Sequence, residues 1–177
     1  MQKEKKFFKD VRSMTLAAMF VAMSVVIGIF CKNFLNFGGG LFRITFENLP
    51  IIMSGVIFGP SVGAIVGICS DLVSYLLSNQ IYPPILIVTV GAMMVGYFSG
   101  FMSHSIIKKR GSRQIIISGA VAHIFGSMVI KSIGLYQFYG ILVLWRIPLY
   151  LIIAPVEIAV ICWLFSRNTF CRLVGYK

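Results

Sequence analysis

Residues 45–78 read TFENLPIIMSGVIFGPSVGAIVGICSDLVSYLLS, two apolar runs joined at Gly59-Pro60, and their reading decides the fold. A helix needs roughly 17–25 residues to cross the hydrocarbon of a bilayer. The second run, 61–78, meets that length, whereas the first, 45–59, is short and carries Glu47, Asn48 and Pro50. If both cross, the chain has six spans; if the first only dips in and returns, it has five with a re-entrant segment. Outward from this pair lie four longer apolar stretches at 13–31, 85–107, 114–136 and 144–165. The expectation is an all-α membrane protein, a bundle of six transmembrane helices forming one domain over 1–177, preceded by a basic segment at 1–12.

Composition supports the membrane. Of 177 residues 58% are apolar and 12% charged, with a mean hydropathy of +0.92. A water-soluble domain keeps much of its exterior polar, whereas a lipid-facing exterior is apolar as well. The formal charge of +11 is gathered between the spans. Lys3, Lys5, Lys6, Lys9 and Arg12 precede the first, Lys108, Lys109, Arg110 and Arg113 separate the fourth and fifth, and Arg167, Arg172 and Lys177 follow the last. Only Lys32, Arg43, Lys131 and Arg146 fall to the other side. With six spans that asymmetry places both termini in the cytoplasm, because basic loops stay inside. The same pattern argues against nucleic acid, since no basic surface with interleaved aromatics lies outside the lipid. Cys31, Cys69, Cys162 and Cys171 have neither CxxC spacing nor neighbouring histidines and are read as free thiols without metal. No cleavable leader is expected, because the first apolar run is of membrane-spanning length and leads straight into others.

Small residues recur every four positions: Gly55, Gly59, Gly63 and Gly67, then Gly96 and Gly100, and Ala18 and Ala22 in the first span. That spacing lets helices approach closely in lipid. The glycines are read as packing within the chain, and the alanine pair as a smooth face for packing or for a partner. Two outward connections are more than minimal, 32–42 with Gly38-Gly39-Gly40 and 78–84, and the first is read as either a lid or a tether.

Ionisable groups inside the membrane cost about 2.5–3.5 kcal/mol each on insertion scales, so those present face one another or a cavity. Here they are Glu47, Asp71, Lys131 and Glu157, with Arg43 and Arg146 at outer span ends. At ~1.5 Å per residue, Lys131 falls near the outer edge and Glu157 near the midplane, with Asp71 between. The expected order is an outer cationic layer of Arg43, Lys131 and Arg146, opposed by Glu47, over carboxylates at Asp71 and Glu157. It suits a solute with an anionic tail and a nitrogen-rich head. Phe46, Tyr75, Tyr82, Tyr136, Tyr139 and Trp145 are available to stack on a ring, or to form an interfacial belt. Mutual pairing of the charges in the bundle core is the competing reading, and His123 is read as a helix-to-helix hydrogen bonder. A phosphate-binding GxxxxGK[ST] loop, HExxH and inverted repeats are all missing from the sequence. That argues against an enzyme and against a self-powered transporter.

The run Arg43-Ile44-Thr45-Phe46-Glu47-Asn48-Leu49-Pro50, followed by Phe58-Gly59-Pro60, Gly63 to Gly67 and Asp71-Leu72, resembles the signature of folate-type S components of energy-coupling-factor (ECF) vitamin transporters. Tyr82-Pro83-Pro84 and the six-span layout are similar too. The resemblance implies a protein of the bacterial plasma membrane that binds folate from outside without a cofactor. It also implies association, through Ala18 and Ala22, with a transmembrane coupling (T) component and two cytoplasmic ATPases. Their ATP hydrolysis topples the S component to release its cargo. On that reading Arg43, Lys131 and Arg146 hold carboxylates or ring oxygens, Asp71 or Glu157 the pterin amino groups, and Phe46, Tyr75 and Tyr82 stack. Glu47 and Asn48 complete the substrate-binding set. Another heterocyclic vitamin, thiamine or riboflavin, and a structural subunit without ligand are the rival readings.

Overall fold

The structure, a computed structural model, describes residues 10–37, 42–77, 86–107 and 111–175; for 36–37, 42–43, 137–139, 142 and 144–146 it describes the backbone alone. Helix α1 spans Val11–Phe34. It starts where Asp10 caps it, the carboxylate accepting from the Arg12 amide at 3.3 Å and from the Ser13 hydroxyl at 2.7 Å. That serine bond holds the Asp10 carboxyl below its ordinary range. After α1 the chain forms a two-residue antiparallel ladder, β1 (Asn36–Phe37) with β2 (Phe42–Arg43). It then runs without regular structure to Glu47.

Helix α2, Asn48–Phe58, has 11 residues, and α3, Pro60–Leu77, has 18. The expected span of 45–59 is therefore helical only from Asn48. Pro50 sits in the first turn, where its missing N–H costs nothing. At 1.5 Å per residue α2 is about 16 Å long, half the bilayer core. Every residue from Asn48 to Val56 is buried, so this short helix lies inside the bundle and not against lipid. The turn into α3 needs Gly59, whose φ of 107° is a backbone shape that side chains resist. Pro60 then opens α3 in the first-turn position that suits it.

Helix α4, Leu86–Phe101, continues through a π-helical turn at Met102–Ile106. A second long rod begins as α5, Ser112–Ala122, passes through a π segment at His123–Ile130 and ends as α6, Lys131–Tyr139. A 3-10 turn at Gly140–Trp145 leads to α7, Arg146–Ser166, and the short α8, Asn168–Val174. The Arg12 guanidinium donates to the Leu173 carbonyl at 3.0 Å, bringing the start of α1 to the end of α8. Among the described residues five helical stretches are long and apolar enough to cross a membrane, and α2 is the shorter apolar helix. Their outer faces are apolar as expected, with Leu76, Leu86, Leu151 and Ile152 all well exposed.

The glycines are spent inside the chain. Gly63 and Gly96 place the backbones of α3 and α4 in direct contact, each leaving room only for the other's carbonyl. Gly67 does the same against Ala92, Gly100 against Pro60, and Gly55 against Ser99. This seam and the residues packed around it, Ile52, Val56, Val62, Val66 and Val95, form the core. The expected glycine loop at 38–40 and the Tyr82-Pro83-Pro84 turn lie outside the described residues. Because the atoms facing Gly96 are backbone, which cannot rotate away, Gly96→Val should destabilise the protein by about 1–3 kcal/mol or more. A fall in the detergent-solubilised melting temperature checks this; an unchanged melt would contradict the seam.

Candidate functional site

Lys131 is the residue around which the polar interior is arranged. It sits where the π segment gives way to α6, and a π segment inserts one extra residue per turn, so it sets the direction in which Lys131 leaves the rod. The side chain is almost fully buried, and Gly91 on α4 makes space for it: a Cβ there would come within 2.5 Å of the Lys131 Cγ. Its ammonium donates to Asn48 Oδ1 at 3.0 Å and to Glu47 Oε1 at 3.3 Å. Asn48, wholly buried, turns its amide nitrogen to Ser127 Oγ at 3.2 Å, one helical turn before Lys131. Both ends of the Asn48 amide are thus used, which fixes its orientation.

Glu47 precedes α2, and its carbonyl accepts from Ser24 Oγ of α1 at 2.7 Å. Gly28, four residues further along α1, leaves room for its carboxylate; a Cβ there would stand 3.1 Å from Oε2. Asp71 on α3 accepts from Thr89 of α4 at 2.6 Å. Between these groups lies a partly open cavity, with about 190 Å³ of space when the solvent open to it is included, lined by Ser24, Glu47, Ile51, Ser70, Asp71, Ser74, Ala92 and Lys131. One cation, two carboxylates and three serines thus surround an empty volume within an apolar bundle. Such a set can hold a ligand that both donates and accepts hydrogen bonds.

The expected site residues divide. Glu47, Asp71 and Lys131 line the cavity and Asn48 backs it. Tyr75 follows Asp71 by one turn and is half-buried, as is Phe46. Glu47 opposes Lys131, as the expected order had it; Asp71, expected in a layer beneath, lines the same cavity as both, where Gly91 and the π segment let the long lysine stem turn into the bundle. Glu157 does not line the cavity. It is fully buried against His123 of the π segment, Nε2 to Oε2 2.7 Å. Arg43 begins no helix but ends β2, and Arg146 opens α7; their side chains, like Tyr82 and the side chains of Tyr139 and Trp145, lie outside what is described. Tyr136 is exposed. Ala18 and Ala22 share the exposed side of α1 with Thr15, Met19 and Val26.

The sequence reading passed over Ser24, Ser70, Ser74, Thr89 and Ser127. A signal was there: Ser70 and Ser74 flank Asp71 on one helical stripe, and Ser127 stands four residues before Lys131. If the Lys131–Glu47 pair is a structural tie, Lys131→Met alone should destabilise by about 2 kcal/mol or more by stranding its acceptors. Lys131→Met with Glu47→Gln should recover much of that loss. Thermal melts of the two variants read the difference, and equal losses in both would contradict the tie.

Comparison with known proteins agrees with this architecture. A profile described as ECF transporter, substrate-specific component, matches residues 12–175. The folate transporter FolT of Clostridium novyi (strain NT) is 26% identical over 125 residues, which are 69% of this chain and 69% of that protein. A solved structure of FolT bound with folic acid superposes with a TM-score of 0.69 at 21% identity, covering 88% of this chain and 93% of the other, and so shares the fold. A profile match over nearly the whole length, on a chain of several membrane-length apolar helices, settles the family: this chain is a multi-pass membrane protein that belongs to the substrate-specific components of ECF transporters.

Proposed function

We propose that this protein captures folate from outside a bacterial plasma membrane and delivers it through an ECF complex. The observation that carries the reading is the polar cavity lined by Glu47, Asp71, Lys131 and three serines. Charged groups at membrane depth are retained where they line a binding path, and the two similar proteins named above are a folate transporter and a FolT bound with folic acid. Folate offers a pterin head rich in N–H donors and a glutamate tail carrying carboxylates. Asp71 accepts from the head, and Lys131 receives a tail carboxylate or a ring oxygen, aided by Arg43 and Arg146 at the outer ends. Phe46, Tyr75 and Tyr82 pack on the ring, and Glu47 and Asn48 hold Lys131 until the ligand arrives. Glu157 is left out of direct contact on this reading, since it faces His123.

The space left between these side chains, about 190 Å³ with the solvent open to it included, does not hold folate as they stand. Folate entry therefore requires the Lys131–Glu47 pair to part and the lysine to exchange one carboxylate for another. Such an exchange conserves charge in a low-dielectric site, so its net cost stays small.

Six crossings with both termini cytoplasmic, over one domain, is the reading supported by the Arg12 to Leu173 bond, which brings the start of α1 beside the end of α8. Five long spans alone would leave them on opposite sides. Helix α2, prolonged by the extended residues 44–46, supplies the sixth crossing; irregular backbone at that depth is tolerated because protein surrounds it. The exposed Ala18/Ala22 side of α1 then docks on the T component, and two ATPases supply the energy for toppling.

Isothermal titration of the purified protein in detergent should show saturable folate binding, and Lys131→Ala should weaken it by about 2 kcal/mol or more. Binding of thiamine or riboflavin and not folate would transfer the site to that vitamin. Binding of none would contradict the proposal. Ala18→Trp with Ala22→Trp should abolish folate uptake by cells while leaving titrated affinity intact; surviving uptake would place the docking face elsewhere.

A further inference from the structure

Serine and threonine hydroxyls within helices commonly bond to a carbonyl three or four residues back. This chain does so at Thr15, Ser54, Ser99 and Ser166, with distances of 2.7–2.9 Å. Ser70 departs from that habit. It is 2% exposed, it lines the cavity, and among the described residues its Oγ has no hydrogen-bond partner. A buried hydroxyl left alone carries an uncompensated desolvation penalty, which alanine would avoid in the same space. Thr45 and Ser118 also carry buried hydroxyls without a partner among the described residues, but neither lines the cavity.

The residue beside it is Asp71, which lines the same cavity. Thr89 donates to its Oδ2 at 2.6 Å, which fixes the carboxylate plane, and no described residue donates to Oδ1. Helix α3 thus presents a held acceptor and a hydroxyl able to donate to the same cavity. A ring bearing an N–H or amino group next to a carbonyl is the complementary ligand edge.

We propose that Ser70 and Asp71 together form the subsite that reads this amide-like ring edge, Asp71 Oδ1 accepting from the ring N–H and amino group and Ser70 Oγ donating to the adjoining carbonyl. The proposal rests on the folate reading, since the 2-amino-4-oxo pterin head carries that edge. Thr89 acts as a positioning residue that orients the carboxylate. Glu47 and Lys131, across the cavity, are left to the rest of the ligand.

The test is a cycle between residue and ligand by isothermal titration in detergent. Folate and a 4-deoxy analogue, which lacks the ring carbonyl and with it the neighbouring ring N–H, are each measured on the wild type and on Ser70→Ala, so that the loss caused by the variant is compared within each ligand. Ser70→Ala should weaken folate by about tenfold, leave the analogue within about twofold, and not lower the melting temperature of the unliganded protein. Equal folate affinity in wild type and variant would overturn the subsite, as would an equal loss for both ligands, which marks a packing effect. A wild type that binds folate keeps the functional reading standing whichever way the variant falls; a wild type that binds neither ligand overturns both. Should Ser70→Ala not fold, Ser70→Cys keeps the volume with only a weak donor and carries the same comparison.

Discussion

The buried contact of Lys131 with Glu47 and Asn48 is the constraint on which the interior depends. An ammonium in a lipid-embedded bundle must find oxygen acceptors or be expelled, and here it takes both from the start of α2. The same contact explains how an 11-residue helix can sit at the centre. Too short to be anchored by its own length, α2 is tied at its first residues to the long rod through Lys131 and Ser127, and to α1 through the Ser24 bond to the Glu47 carbonyl. A buried ion pair gains little net stability, because desolvation offsets the attraction. Its value lies in specificity: it fixes where α2 enters, and it keeps a charge ready to meet a charged ligand.

The second support is geometric. The glycine seam between α3 and α4 draws Asp71 and Thr89 within hydrogen-bonding reach across the two helices. Close backbone contact on one side and polar ties on the other leave a gap between α1, α2, α3 and the rod, and the cavity is that gap. Gly28 and Gly91 widen it by giving up side chains where Glu47 and Lys131 must turn. Packing and binding are therefore built from the same small residues, some of which bring helices together while others make room for charge.

Much of this was legible in the sequence because lipid makes polar residues conspicuous. Glu47, Asp71 and Lys131 stood out as costly, and they do line one cavity. The four-residue glycine spacing announced the seam, and helix lengths followed from apolar runs. Other features depend on tertiary partners that spacing does not reveal. Glu157, as costly as the others, faces His123 of the π segment. The π segment has no simple sequence mark, yet it decides where Lys131 points. Serines are common in membrane helices as self-bonded residues, so Ser70 became informative only once its hydroxyl was seen to lack the usual carbonyl.

The central claim is that these polar groups enclose a space a solute can reach from outside. It is tested most directly by placing a thiol at Ser74 in a background with Cys31, Cys69, Cys162 and Cys171 replaced by alanine, and adding a small water-soluble thiol reagent to the outer side. The account predicts labelling of Ser74→Cys in the ligand-free protein and protection from it by folate. A thiol that stays unlabelled, or that labels at the same rate whether or not folate is present, would contradict it.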